Sequence, residues 1–254
     1  MLITRTARQM LERMLSPWDY SLVRRSDLNR IPDVSPEFRA IVDRVKPATM
    51  TTPERIIGLC RALEYVVRNQ IHGDFVECGV YKGGSTMAAA LTLLHLGVPD
   101  RTLCLFDTFE GMSEPTEADI ETFSGQRADA LLASTDKSSP YWAYAPLEQV
   151  RRNLASTGYP PELLRFIKGK VEDTLPSEAP DQISVLRLDT DWYESTKHEL
   201  DTLFPRLSVG GVLIIDDYGF WSGARKAVDE YFQEHGIRML LNRLDFTGHI
   251  GVKS

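Results

Sequence analysis

Cysteine, histidine, positive charge and long apolar runs are all scarce in this chain. Only Cys60, Cys78 and Cys104 are present among 254 residues, and no two of them form a Cys-x-x-Cys pair. Cys78 and Cys104 sit in apolar runs. They read as small buried thiols of a reducing compartment, which excludes a disulfide framework. A cytoplasmic location is therefore expected. The five histidines show no His-x-x-x-His or similar ligand spacing, so a zinc site is not expected. No apolar run approaches membrane-spanning length. The start, Met1-Leu-Ile-Thr-Arg5, lacks the apolar stretch of a secretory signal. Arg5, Arg8 and Arg13 recur early, but Glu12 and the lack of a Ser-rich stretch argue against a transit peptide. Lys and Arg number 29 against 36 Asp and Glu, for a net charge of −7. That balance disfavours a nucleic-acid partner, which needs a positive footprint. No membrane partner is expected either.

What the chain does have is two apolar runs that end in paired acids. One is Val185-Leu-Arg-Leu-Asp189-Thr-Asp191, and the other is Gly210-Gly-Val-Leu-Ile-Ile-Asp216-Asp217. Runs rich in Val, Ile and Leu read as buried strands of a parallel sheet. In open α/β sheets, ligands lie beyond the carboxyl ends of the strands. Four carboxylates gathered there repel one another unless a cation sits between them, and Mg²⁺ suits an all-oxygen donor set. Acids after strands also cap helices. Asp191 would cap a helix starting near Trp192, and Asp217 one starting near Gly219.

The rest of the chain alternates. An amphipathic helix is expected from Met1 to about Leu15. Pro-at-first-turn logic opens helices at Ser35-Pro36 and at Thr52-Pro53, the second reaching about Asn69. Strands are predicted over 74–79, 102–106, 164–168, 183–188 and 209–215. Helices are predicted over 85–96, 147–156, 193–204 and 223–235. Residues 238–241 and 247–252 read as a closing antiparallel pair. Residues 108–145 are polar with scattered aromatics and read as a long functional loop, expected to close over the ligands. The series is a βαβ succession giving a doubly wound, mostly parallel sheet. We expect an N-terminal helical cap or lid over 1–72 and one globular α/β domain over 73–254.

The first strand runs into Glu77-Cys-Gly79-Val-Tyr81-Lys-Gly83-Gly84-Ser85. Glycine there permits a tight turn and close approach of a ligand to backbone N–H groups. The dinucleotide pattern would require glycine at position 81, where Tyr81 would block a pyrophosphate. Glu77 would repel phosphate and suits a cationic amino-acid end. S-adenosylmethionine carries an ammonium group and no phosphate. Asp107, at the end of the second strand, suits ribose hydroxyls.

These pieces together resemble the macrocin O-methyltransferase family of antibiotic deoxysugar methyltransferases, within class I S-adenosylmethionine-dependent methyltransferases. The matching segments are 74–85, Phe106-Asp-Thr-Phe-Glu-Gly-Met112, Asp173-Thr-Leu-Pro176, Leu186 to Thr196, and Pro205 to Tyr218. The resemblance implies a Rossmann-like α/β fold with a mostly parallel seven-stranded sheet. It implies S-adenosyl-L-methionine and Mg²⁺ as cofactors. Carried over by position, Glu77, Gly79, Gly83, Ser85 and Asp107 would hold the donor, with Thr49, Met50, Glu172 and Asp173 contributing. Asp189, Asp216 and Asp217 would hold the metal. The partner is then a hydroxylated small-molecule acceptor, and a homo-oligomer is expected.

For the reaction, Asp189 is the candidate metal ligand and proton acceptor, and Asp191 is the second candidate base. Trp192, Tyr193, Trp221 and His198 are candidates for the acceptor pocket, with core packing or a solvated helix face as the alternative for each. A catechol-type methyltransferase would use similar acids. A Mg²⁺-dependent phosphate-processing enzyme would use Asp189 and Asp191, but it needs a basic grip near them.

Overall fold

The computed structural model describes residues 33–254, together with Met14. The helix expected over the first fifteen residues lies outside the described residues. Ser35–Ser254 forms one compact unit.

Two helices precede the sheet, each started by the device the sequence announces. In α1 (Pro36–Val45) the Ser35 hydroxyl accepts from Phe38 N–H at 3.2 Å. In α2 (Pro53–Arg68) Thr52 accepts from Arg55 N–H at 3.3 Å. Each cap satisfies one of the unpaired first-turn donors. Their buried stripes, Phe38, Ile41 and Val45 on α1 and Ile56, Leu59, Leu63 and Val66 on α2, face the body of the protein. Both helices pack on α3 (Gly84–His95). α1 and α2 thus bury their apolar stripes within the unit Ser35–Ser254.

The alternation continues with β1 (Asp74–Cys78), β2 (Leu103–Asp107), α4 (Ala128–Ala133), α5 (Leu147–Ala155) and β3 (Leu164–Lys168). Then come a single turn α6 (Val171–Thr174), β4 (Ile183–Leu188), α7 (Tyr193–Leu203), β5 (Leu207–Ile215) and α8 (Ser222–Glu234). Two short strands, β6 (Asn242–Arg243) and β7 (His249–Val252), close the sheet. The seven strands lie in the order β3-β2-β1-β4-β5-β7-β6. β1 to β5 run parallel, and β7 is antiparallel to both β5 and β6. The fold is Rossmann-like and mostly parallel. Strand order reverses between the neighbouring strands β1 and β4, which is where such sheets open a ligand crevice.

Two differences from the sequence reading stand out. The closing hairpin is later and shorter than expected, since residues 238–241 have no strand partner and 242–243 pair with β7 instead. The stretch 108–145 is not a bare loop. It carries α4, a 3₁₀ turn at Pro140–Trp142 and bridges from Ile120 to Arg127 and from Glu121 to Trp221. Ala128, Leu131 and Leu132 bury against Trp192, Trp221 and Ala224.

Candidate active site

A cavity of about 310 Å³ opens at the carboxyl ends of the parallel strands. That volume suits a small-molecule site. One wall is the glycine turn. Gly79 adopts φ +81°, and a Cβ there would collide with the Asp189 carbonyl oxygen. Asp189 N–H donates to Cys78 O at 2.8 Å, so the turn after β1 and the acid-bearing turn after β4 lie back to back. Only glycine fits the close approach and the left-handed backbone together. Tyr81, also at positive φ, comes two residues later.

Asp107 locks this turn from β2. Its Oδ2 accepts from Val80 N–H at 2.6 Å and Tyr81 N–H at 3.2 Å, and its Oδ1 from Phe109 N–H at 2.5 Å. Burial raises its pKa, against the lowering effect of the Val80 and Phe109 amides. Thr49, Met50, Gly79, Ser85, Asp107 and Glu172 all line the cavity.

Glu77, Gly83 and Asp173 are not on that wall. Gly83 is the left-handed N-cap of α3 and faces Leu154. Glu77 is fully buried beneath the turn, accepting from the Thr86 hydroxyl and from Arg187 Nη1 at 2.7 Å. Register explains this, because Glu77 on β1 lies directly opposite Arg187 on β4.

Arg187 is the centre of a buried ionic network that sequence reading missed. Its Nη1 also donates to Asp189 Oδ2 at 2.7 Å, and its Nη2 donates to Asp216 Oδ1 at 2.6 Å and Thr51 Oγ1 at 3.1 Å. Burial works against its charge, but Asp189, Asp216 and Glu77 outweigh that and hold its pKa well above the ordinary value. Arg55 of α2 pairs with the other oxygen of Asp216 and lies 2.9 Å from Asp245 Oδ2 through its Nε. Asp216, expected in the metal set, is therefore occupied on both oxygens by guanidinium groups.

The acids that converge are Asp189, Asp191 and Asp217, each offering an oxygen within 4.8 Å of the others. Among the described residues, Asp191 and Asp217 have no ion-pair partner. Burial pushes Asp191 up to about 7, against a lowering hydrogen bond with Asp217. Burial, then Asp191 and Asp216, push Asp217 well above the carboxylate range, and its Oδ2 is buried with no partner. Desolvation likewise raises Asp189, against the pull of Arg187.

Neither Asp191 nor Asp217 is a side-chain helix cap. Tyr193 N–H, at the start of α7, donates to Asp119 Oδ1 at 2.8 Å. The start of α8 is held by Asp217 through its backbone oxygen, which accepts from Phe220 and Trp221 N–H, both at 3.0 Å. Asp191 instead stands at φ +70°, an uncommon conformation for a residue with a side chain. Of the candidate pocket aromatics, Trp221 lines the cavity. Trp192 is buried against it at 4.9 Å, and Tyr193 turns to Glu230, its hydroxyl donating at 2.7 Å. His198 faces Leu175 O at 3.4 Å.

A glycine turn, a strand-end acid beside it and a carboxylate cluster, all on the switch side of this sheet, define an S-adenosylmethionine-dependent O-methyltransferase. The chain belongs to the Macrocin-O-methyltransferase (TylF) family, whose pattern it matches over residues 34–251. It is 36% identical over 200 residues to demethyldecarbamoylnovobiocin O-methyltransferase of Streptomyces niveus, covering 79% of this chain and 73% of that one. It is 33% identical over 200 residues to mycinamicin III 3''-O-methyltransferase of Micromonospora griseorubida, covering 79% and 76%. A rhamnosyl-tetracenomycin-C 4'-O-methyltransferase of Streptomyces olivaceus is 36% identical over 204 residues, covering 79% and 73%. Among solved structures, the O-methyltransferase NovP superposes with a TM-score of 0.71 at 33% identity, covering 82% of each chain. Among the described residues, no helix is long and apolar enough to cross a membrane.

Proposed function

We propose that this protein methylates a hydroxyl of a deoxysugar on a glycosylated natural product, with S-adenosylmethionine as donor and Mg²⁺ as the metal. The observation that carries this reading is the convergence of Asp189, Asp191 and Asp217 in the same cavity as the glycine turn and Asp107. The rhamnosyl 4' position in one relative's name, and the mycinamicin 3'' position in another's, support a sugar hydroxyl.

The donor set fits a hard cation. It is all oxygen, and the buried Asp217 Oδ2 lacks a partner. Asp189 and Asp217 would hold Mg²⁺, which when bound lowers the pKa of an acceptor hydroxyl. Asp216 is withheld from it by Arg55 and Arg187. Asp191 is the base in this reading, in preference to Asp189. Arg187 fixes one Asp189 oxygen, whereas Asp191 has no cation and a pKa near the working pH of a general base. Asp107, Gly79, Ser85, Thr49, Met50 and Glu172 would bind the donor. The donor methyl would pass in line to the acceptor oxygen as its bond to sulfur breaks, neutral S-adenosylhomocysteine leaving and the hydroxyl proton going to Asp191. Glu77 acts from beneath, through Thr86 and Arg187. Against the phosphate-processing alternative, Arg187 and Arg55 are both held by carboxylates, and the other cation lining the cavity among the described residues, Lys170, stands beside Gly169 at the Asp107 end.

Incubation with labelled S-adenosylmethionine and a panel of glycosides and phenols, with Mg²⁺ or with chelator, tests this. The expected result is label on a sugar hydroxyl, lost with chelator. Asp191→Asn should lower turnover at least about a hundredfold, the usual worth of a general base, with S-adenosylhomocysteine affinity retained. Labelling of phenols alone would move the assignment to the catechol class. Full activity in chelator would falsify the metal-dependent reading.

A further inference from the structure

Phe123 is 65% exposed and Phe246 is 56% exposed, yet the rings are gathered. Phe123 packs on Phe220 with centroids 5.9 Å apart and on Phe246 at 6.2 Å. The three come from three segments: the 108–145 stretch, the turn after β5 and the loop before β7. Phe220 and Phe246 line the cavity. Phe220 is tied to the acid cluster through its N–H, which donates to Asp217 O. Single exposed aromatics are ordinary, but a cluster at the mouth of a cavity marks a contact surface.

The backbone is organised to present Phe123 outward. Glu121 Oε1 accepts from Phe123 N–H at 3.0 Å, and its Oε2 accepts from Ser124 N–H at 2.8 Å. Thr122 N–H donates to Phe220 O at 2.9 Å, and its hydroxyl to Gly219 O at 2.7 Å. The backbone that carries the ring is thus held in place before anything binds, which reduces the ordering cost of a contact.

Charge narrows the occupant. The cations among the described residues lining the cavity are Arg55 and Lys170. Arg55 is held by Asp216 and Asp245. Lys170 is next to Gly169, whose N–H donates to Asp107 O at 3.0 Å, so it stands at the donor end. On the aromatic side Arg55 lies over the Phe246 ring, 6.0 Å from its centroid, but is held by Asp216 and Asp245, and Arg243 donates to Phe246 O at 2.6 Å, while the acids behind the rings would repel a phosphate. A planar, uncharged group fits instead, stacking face or edge on the rings.

From this geometry we infer that Phe123, Phe220 and Phe246 form a subsite for an uncharged ring system attached to the sugar, and that Phe123 sets the preference for it. The inference rests on the sugar-hydroxyl reading above. The test uses naphthyl and methyl rhamnosides with the full-length protein, S-adenosylhomocysteine and Mg²⁺ for calorimetry, and S-adenosylmethionine for turnover. The parent should bind the naphthyl glycoside about tenfold more tightly than the methyl one, the scale of one aromatic contact. In Phe123→Ala that ratio should fall to about two, through KM rather than kcat, and Phe123→Tyr should restore it. Methylation of both glycosides by the parent with equal affinity overturns the subsite while leaving sugar methylation standing. A ratio preserved in Phe123→Ala also overturns it. Failure of the parent to bind or methylate either glycoside, with a catechol accepted, removes both readings together. Thermal unfolding of each variant separates a lost contact from a lost fold.

Discussion

Two groups of buried carboxylates lie side by side in this molecule and are treated in opposite ways. Glu77, Asp216 and Asp245 are matched to Arg187 and Arg55 with their oxygens paired. Among the described residues Asp191 and Asp217, one or two residues further along the same chain turns, form no ion pair, and despite the pull of Arg55 on Asp217 both are pushed toward the protonated form. Asp189 stands between the groups, held by Arg187 yet pointing at the cluster. The first group is neutralised and belongs to the framework. The second carries an unmet demand for positive charge, which is what a metal or a proton in transit can supply. Burial of acids alone therefore does not mark a functional site; burial without counter-charge does.

The comparison is broken most severely at Arg187. Arg187→Met would leave Glu77, Asp189 and Asp216 buried with one cation fewer. We expect a loss of about 3–5 kcal/mol in urea unfolding, the usual cost of halving a buried pair. A variant as stable as the parent would show that the network contributes little.

The opposite sign is expected in the second group. The Asp191 pKa is raised in the folded state, from 3.8 to about 7. Its contribution to stability is thus complete below about pH 4 and is lost as pH rises through 7. Asp191→Asn removes that loss. The variant should match the parent near pH 4 and exceed it by on the order of 1–3 kcal/mol at pH 8 without metal. Mg²⁺ held by Asp189 and Asp217 should then narrow the gap, because its charge beside Asp191 offsets the cost of ionising that carboxyl in the parent. A parent more stable than the variant at pH 8 without metal would contradict the charge imbalance.

Glu199 of α7 sharpens the same point at smaller scale. It is fully buried, accepts from Thr190 Oγ1 at 2.9 Å and leaves its Oε2 without a partner. Burial raises its pKa well above the usual value. Its contribution is present below about pH 4.5, the unperturbed range, and declines as pH rises. Glu199→Gln should flatten that decline in a series of thermal melts. Asp119→Ala removes the α7 cap, worth about 1 kcal/mol, together with the bonds its carboxylate accepts from Thr116 N–H at 2.6 Å and Thr116 Oγ1 at 2.8 Å, and urea unfolding should show a loss of at least that cap.

The strands and most helices were legible because local pattern decides them. Val185 to Leu188 and Val212 to Ile215 are apolar runs too buried to be anything but central strands. Ser35-Pro36 and Thr52-Pro53 start helices within three residues of themselves. Asp107 and Gly79 were readable because strand ends fix their place. The division of the acids was not. Whether Asp216 faces a metal or a guanidinium depends on Arg55, 161 positions earlier in the chain. Glu77 could not be told from a donor ligand without knowing that β4 would set Arg187 opposite it. The cap of α7 comes from Asp119, 74 residues upstream, so Asp191 could not be cleared of that duty by inspection.

Asp119 also bears on how far this enzyme can be rebuilt. The 108–145 stretch looks like a cassette, inserted between β2 and α5 and free to be exchanged for another acceptor preference. Yet its Asp119 caps a helix of the framework, and its Thr122 is latched to the turn beyond Asp217. A transplant that swapped the stretch wholesale would carry away one of the fastenings of the turn that bears Asp191. Chimeras that keep residues 116–122 native and vary residues 123–145 should preserve the chemistry while changing the clientele.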